Sequence, residues 1–166
     1  MYLDEKENKK GDNFADKICS AFKGLKIFLP VINADVLQRM KEHDSSAVDH
    51  VLAEWMIALS TGCRVLPILL GPQDTNSWKT LNLLELKKDL PDVYPEKTVM
   101  FVKEELEKVE MKDVSQRISE TEEWTVKNVV ERFFRNLYLD WETKASLLEC
   151  RGRILEILEE HRQPNT

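Results

Sequence analysis

Leu25-Lys26-Ile27-Phe28-Leu29-Pro30-Val31-Ile32 and Cys63-Arg64-Val65-Leu66-Pro67-Ile68-Leu69-Leu70 are the two short, apolar, β-branched runs on which the fold turns. Each is bounded by turn residues, and each reads as a buried strand of a parallel sheet. Parallel strands need a crossover connection. The intervening sequence supplies one, because Val48, Val51, Leu52, Trp55, Met56 and Leu59 follow the i, i+3, i+4, i+7 rule of an amphipathic helix. Ser46 and Asp49 are spaced as a capping box at its start, and Gly62 stands where a helix stops. Val48, Leu52, Trp55 and Leu59 are expected to face inward. Upstream, Phe14, Ile18, Ala21 and Phe22 share one face of a second expected helix, from Asp12 to Phe22, closed by Gly24. Helix and strand alternate, which points to a doubly wound α/β fold.

Further along, Thr98-Val99-Met100-Phe101-Val102 follows a stretch punctuated by Pro91 and Pro95 and is expected to add a strand at the sheet edge. From Glu120 a helical stripe is expected through Trp124, Val126, Val129, Val130, Phe133, Phe134, Leu137, Tyr138 and Trp141. A second stripe, with Leu147, Leu148, Ile154, Leu155, Ile157 and Leu158, continues to about His161, as one long helix or two in sequence. Its seven-residue spacings suit helix pairing, so self-association through this tail is expected. The division that follows is an α/β domain over 1–118 and a C-terminal helical extension over 119–166 packed on it.

Composition limits the function classes. The chain has 166 residues, 42% hydrophobic and 33% charged, close to the size of one domain and ordinary for a globular protein. A formal net charge of -6 argues against nucleic acid and anionic membrane surfaces, both of which select basic patches, and leaves protein or a small molecule as partner. The opening Met1-Tyr2-Leu3-Asp4-Glu5-Lys6 has no apolar signal core, and the longest apolar stretch, Val65 to Leu70, is too short to span a bilayer. Cys19, Cys63 and Cys150 are scattered without metal or redox spacing and read as reduced thiols, which places the chain in the cytosol. Phosphate-cradling and dinucleotide glycine motifs, H-E-x-x-H and paired-cysteine motifs do not occur, and His43, His50 and His161 are too dispersed to suggest a site. No metal and no bound cofactor are expected.

Four segments in order carry a family resemblance. Tyr2-Leu3-Asp4, then Gly11-Asp12-Asn13-Phe14 and Ile18, resembles the second strand of a Toll/interleukin-1 receptor (TIR) domain running into its BB loop and the following helix. Leu25 to Asn33 is similar to the third strand, Val51-Leu52-Ala53-Glu54-Trp55 to the C-L-x-E-L helix segment, and Gly62 to Ile68 to the fourth strand. The resemblance covers residues 2–75 well and the remainder by element order. It implies a flavodoxin-like doubly wound parallel sheet of order 2-1-3-4-5, N-terminally truncated because the family's first strand and helix have no counterpart. It also implies signalling through association with other TIR domains, with residues 5–10 in the loop that mediates such contacts.

The same resemblance puts Glu54 at the position of the catalytic glutamate of NAD-cleaving members, with NAD as substrate. A carboxylate there has a physical purpose: departure of nicotinamide leaves an oxocarbenium-like ribose that an adjacent anion stabilises. The plain alternative is a solvated helix glutamate. Val48 and His50 stand where many members have Ser and Trp, and Asn8 where a leucine commonly precedes the loop glycine. Two functions therefore compete, a TIR-type association module in signalling and an NAD glycohydrolase using Glu54. A third reading is a different flavodoxin-like binding domain.

Overall fold

The computed structural model describes residues 14–70, 89–118, 122–135, 139–141, 151–156 and 159. The expected second strand and loop (2–13), Leu147, Leu148, Ile157 and Leu158 lie outside them. Helix α1 (Phe14–Phe22) ends where Gly24 takes a left-handed conformation, φ 82°, and turns the chain into the first strand.

That strand and its partner form one parallel pairing seen as two short ladders, β1 (Ile27–Phe28) with β3 (Arg64–Val65) and β2 (Val31–Ile32) with β4 (Ile68–Leu70). Every residue pairs with the one 37 positions on: Ile27 with Arg64, Phe28 with Val65, Val31 with Ile68, Ile32 with Leu69. The amides of Arg64, Leu66 and Ile68 donate to the carbonyls of Lys26, Phe28 and Pro30 at 2.9, 2.9 and 2.8 Å, so hydrogen bonding runs through the gap. The ladder is interrupted because Pro30 has no N–H to give back.

A third strand, β5 (Leu139–Trp141), lies parallel to β4 on its other side, Ile68 pairing with Leu139 and Leu70 with Trp141. The expected helix through Trp141 is corrected here. Helix α6 (Val126–Phe133) ends eight residues earlier, after Phe133 and Phe134 have been buried against Trp55. The apolar residues beyond it suit a strand between sheet layers as well as a helix stripe, and periodicity cannot separate the two over so short a run. Leu137 and Tyr138 lie outside the described residues.

The crossover helix α3 (His50–Thr61) is flanked by α2 (Ala34–Lys41), an additional helix before it, capped by Asn33, whose side chain accepts from the Val36 amide at 3.1 Å. Asp49 itself caps α3, its carboxylate accepting from Val51 and Leu52, both at 3.0 Å. The expected capping box with Ser46 does not form, because Ser46 donates its amide and hydroxyl to Asp44 instead. Gly62 closes the helix in the left-handed region, φ 71°, as expected. The expected single inward stripe is also corrected. Leu52, Ala53, Trp55, Met56, Ile57, Ala58 and Ser60 are all buried, Leu59 is half-buried, and Val48 precedes the helix. The cause is position: α3 packs against α1, β3, α4 (Glu96–Lys108), α5 (Lys112–Arg117) and α6, so nearly its whole circumference meets protein.

Thr98–Val102, expected as an edge strand, lies within α4. Val99, Val102 and Leu106 fall on the buried face of that helix together with Thr98 and Glu105, a helical spacing that the β-branched content of the short run concealed. A 3-10 turn (Glu122–Trp124) leads into α6, whose first amides, Val126 and Lys127, donate to the carbonyls of Val93 and Pro91 at 3.0 and 3.2 Å. One apolar cluster runs from Cys19 to Phe134 and takes in Phe28, Ile32 and Val65 from one face of the strands. On the other face Leu66 packs with Ile27 and with Ile154 of the helical residues 151–156. The described chain is thus a mixed helix and strand structure with parallel pairing, covered at these residues on both faces. Among the described residues no helix is long and apolar enough to cross a membrane.

Candidate functional site

Glu54 lies one turn into α3, half-buried, on the flank that faces α1 and α4. It borders a crevice with Ile18 and Cys19 of α1, His50 and Ile57 of α3, and Phe101 of α4, over which the His50 ring stands edge-on at 5.2 Å. The crevice offers about 10 Å³, the room of one water molecule. A dinucleotide site needs some hundreds of Å³, and the described residues at Glu54 do not enclose that. Helix packing explains the narrowness: Ala53 and Ile57 beside Glu54 are buried, and the α1 and α4 side chains close over them.

A second constellation, of which the sequence marked only Asp49 as a helix-start residue, joins α2 to α3. Asp49 caps α3, receives Arg39 Nη2 at 3.3 Å, and donates its own amide to Thr98 Oγ1 at 3.0 Å, tying α2, α3 and α4 at one residue. Next to it is a cavity of about 220 Å³ lined by Arg39, Glu42, His43, Asp44 and Asp49 among others. Both ring nitrogens of His43 are shielded from solvent and have no hydrogen-bond partner among the described residues. Burial pushes the His43 imidazole below its ordinary value of 6.5, and the carboxylates of Asp49 and Asp44 offset part of that. The Asp44 carboxyl is held below its usual range by the hydroxyl and amide of Ser46.

A histidine with a depressed folded pKa binds its proton more readily when unfolded, so its contribution is complete above 6.5 and is lost as pH falls through the folded value. Denaturant stability of the wild type is therefore expected to fall on acidification below 6.5, and His43→Gln to flatten that decline. Equal pH slopes in both proteins would remove His43 from the acid response.

Of the thiols, Cys19 is buried and Cys63 half-buried, both unbridged, and burial raises the Cys63 pKa, which keeps it a thiol rather than a nucleophilic thiolate at neutral pH. Cys150 and His161 lie outside the described residues. Among the described residues no group of three or more His, Cys, Asp or Glu side chains is placed to hold a metal ion. The signal for the Asp49 junction was present in the sequence as an aspartate before a helix. Its partners, Arg39 and Thr98, come from segments that only the fold brings together. No protein-family model, curated protein or solved structure matches the chain.

Proposed function

We propose that this chain is an intracellular signalling domain of the TIR type, built on a flavodoxin-like doubly wound sheet and acting through association with other TIR domains. The observation that carries the reading is the run of three parallel strands in sequence order, the first two at one constant offset and joined through the buried helix α3. That is the arrangement the third, fourth and fifth strands of such a domain would have. Association is favoured over catalysis because the crevice at Glu54 holds about one water, and misplacement of a reacting centre by about 1 Å already costs a hundredfold in rate. NAD hydrolysis by Glu54 remains the second reading. In its favour, the carboxylate is half-buried beside apolar side chains, where it would act strongly on developing positive charge.

One experiment separates them. Sedimentation velocity over a concentration series is expected to show reversible self-association of the 166-residue chain, weakened by Gly11→Arg or by charge reversal at Lys9 and Lys10, with little change in melting temperature. Nicotinamide release from NAD is expected to be at background for the chain and for Glu54→Ala. A concentration-independent monomer that cleaves NAD in a Glu54-dependent manner would overturn the proposal.

A further inference from the structure

The strand that carries β1 and β2 is paired along one edge, and among the described residues no strand lies on the other. The register decides which backbone groups face outward. The carbonyls of Lys26, Phe28 and Pro30 accept from the amides of Arg64, Leu66 and Ile68, so the groups of the even-numbered residues turn inward and those of Ile27, Leu29 and Val31 turn outward. An open row of strand N–H and C=O groups is a template for another chain, and proteins commonly blunt it with lysine or proline. Neither stands at the three outward positions. Pro30 falls in the inward register, where it interrupts the strand's own ladder and leaves the outer edge with all its donors.

The outward positions are apolar and open. Leu29 and Val31 are 36% and 56% exposed, and strand alternation puts them on the face of Ile27, which packs with Leu66 and Ile154, so that small cluster has an open flank. The edge is also complementary to itself. Turned antiparallel about a two-fold axis through Leu29, two copies set Ile27 opposite Val31 and Leu29 opposite Leu29, and each of these outward-facing pairs exchanges two backbone hydrogen bonds. Apolar and β-branched side chains directly opposite one another are favourable cross-strand pairs. The ends match in charge as well. Lys26 of one copy comes to the 33–35 end of the other, and Lys26 and Asp35 are both exposed, with no ion pair among the described residues.

We infer that the outer edge of this strand is a two-fold interface between two copies of the chain, paired antiparallel about Leu29. About five residues of edge bury less than the roughly 1,200 Å² of a standard interface, so the dimer is reversible and forms at high concentration. The contact is separate from residues 5–10, which carry the TIR association reading, and it holds whether or not that reading does.

The test is sedimentation velocity together with amide-resolved hydrogen exchange of the 166-residue chain over a concentration series. Rising concentration is expected to produce a dimer and to slow exchange at the outward amides of Ile27, Leu29 and Val31, with little change at the inward amides of Phe28 and Ile32. Leu29→Lys and Leu29→Glu each set like charges across the axis and are expected to weaken the dimer about tenfold or more. An equimolar mixture of the two sets lysine against glutamate and is expected to recover association to within about threefold of the wild type, a pattern that requires Leu29 to meet its own copy. Gly11→Arg, which probes the loop, is expected to leave the protection at Leu29 and Val31 unchanged, so the two contacts are read separately. Should the Leu29 variants fail to fold, the wild-type amides still decide. Protection of the outward amides at every concentration would mean that a segment of this chain covers the edge, and rapid exchange at every concentration would mean that nothing does. Either result overturns the inference, as does a mixture no more associated than its two components.

Discussion

Replacing Trp55 by alanine is expected to lower unfolding free energy by about 3 to 5 kcal/mol, the range for removing a large aromatic from a packed core. Trp55 is 1% exposed. Its ring stacks on Phe133 with centroids 4.0 Å apart and planes 7° from parallel, and it meets Phe134 edge-on at 5.8 Å. Phe133 in turn stands edge-on to Phe28 at 6.3 Å, so one indole links the crossover helix to α6 and, through Phe133, to the first strand. A domain of this kind has roughly 5 to 15 kcal/mol in total, so the substitution removes a large share. Urea denaturation followed by circular dichroism measures it. A loss below about 1 kcal/mol would mean that the stack is not part of the core.

Leu66→Pro is expected to lower stability by about 3 kcal/mol or more and, in a chain of ordinary stability, to abolish the cooperative transition. The Leu66 amide donates to the Phe28 carbonyl at 2.9 Å, midway between the bonds made by Arg64 and Ile68. Proline removes that donor and strands a carbonyl, roughly 1 to 3 kcal/mol, and it discards much of a buried leucine side chain, roughly 1.5 to 3 kcal/mol when wholly lost. The adjacent Pro30 and Pro67 leave few ladder bonds to share the damage. Val31→Thr is the control, 56% exposed on the neighbouring strand, with an expected change within about 0.5 kcal/mol. A Leu66→Pro protein as stable as the control would show that the two ladders are independent and that the constant offset has no energetic meaning.

The strands Leu25–Ile32 and Cys63–Leu70, the helix between them and both closing glycines were legible because each is set by local chemistry: β-branched runs, 3.6-residue spacing, left-handed φ. What was not legible depends on neighbours. Val99 and Val102 look like strand residues until Leu106 and the packing of α4 on α3 fix the helical face. Leu139–Trp141 is a strand because the free side of β4 lies beside it, a fact no window around residue 139 contains. Glu54 falls within the expected crossover helix, but the tightness of the space beside it is set by Ile18, Cys19 and Phe101 from two other helices. His43 carried no pattern at all. Its shielded ring depends on where the turn between α2 and α3 folds back.

The position of β5 also orders events in time. The first two strands meet across 37 positions of chain, whereas Leu139 must reach Ile68 across 71. Near-doubling of a loop adds only about 0.6 kcal/mol of closure entropy, so at equilibrium the late strand is nearly as well placed as the early ones. Kinetically the two are unequal, because the longer search pays off only once β4 offers a formed edge. The strand pair and α3 therefore make the template, and the third strand reads its register from it, a sequence that pulse-labelled hydrogen exchange would resolve as earlier protection at Leu66 than at Trp141, the β5 amide that this register turns toward β4.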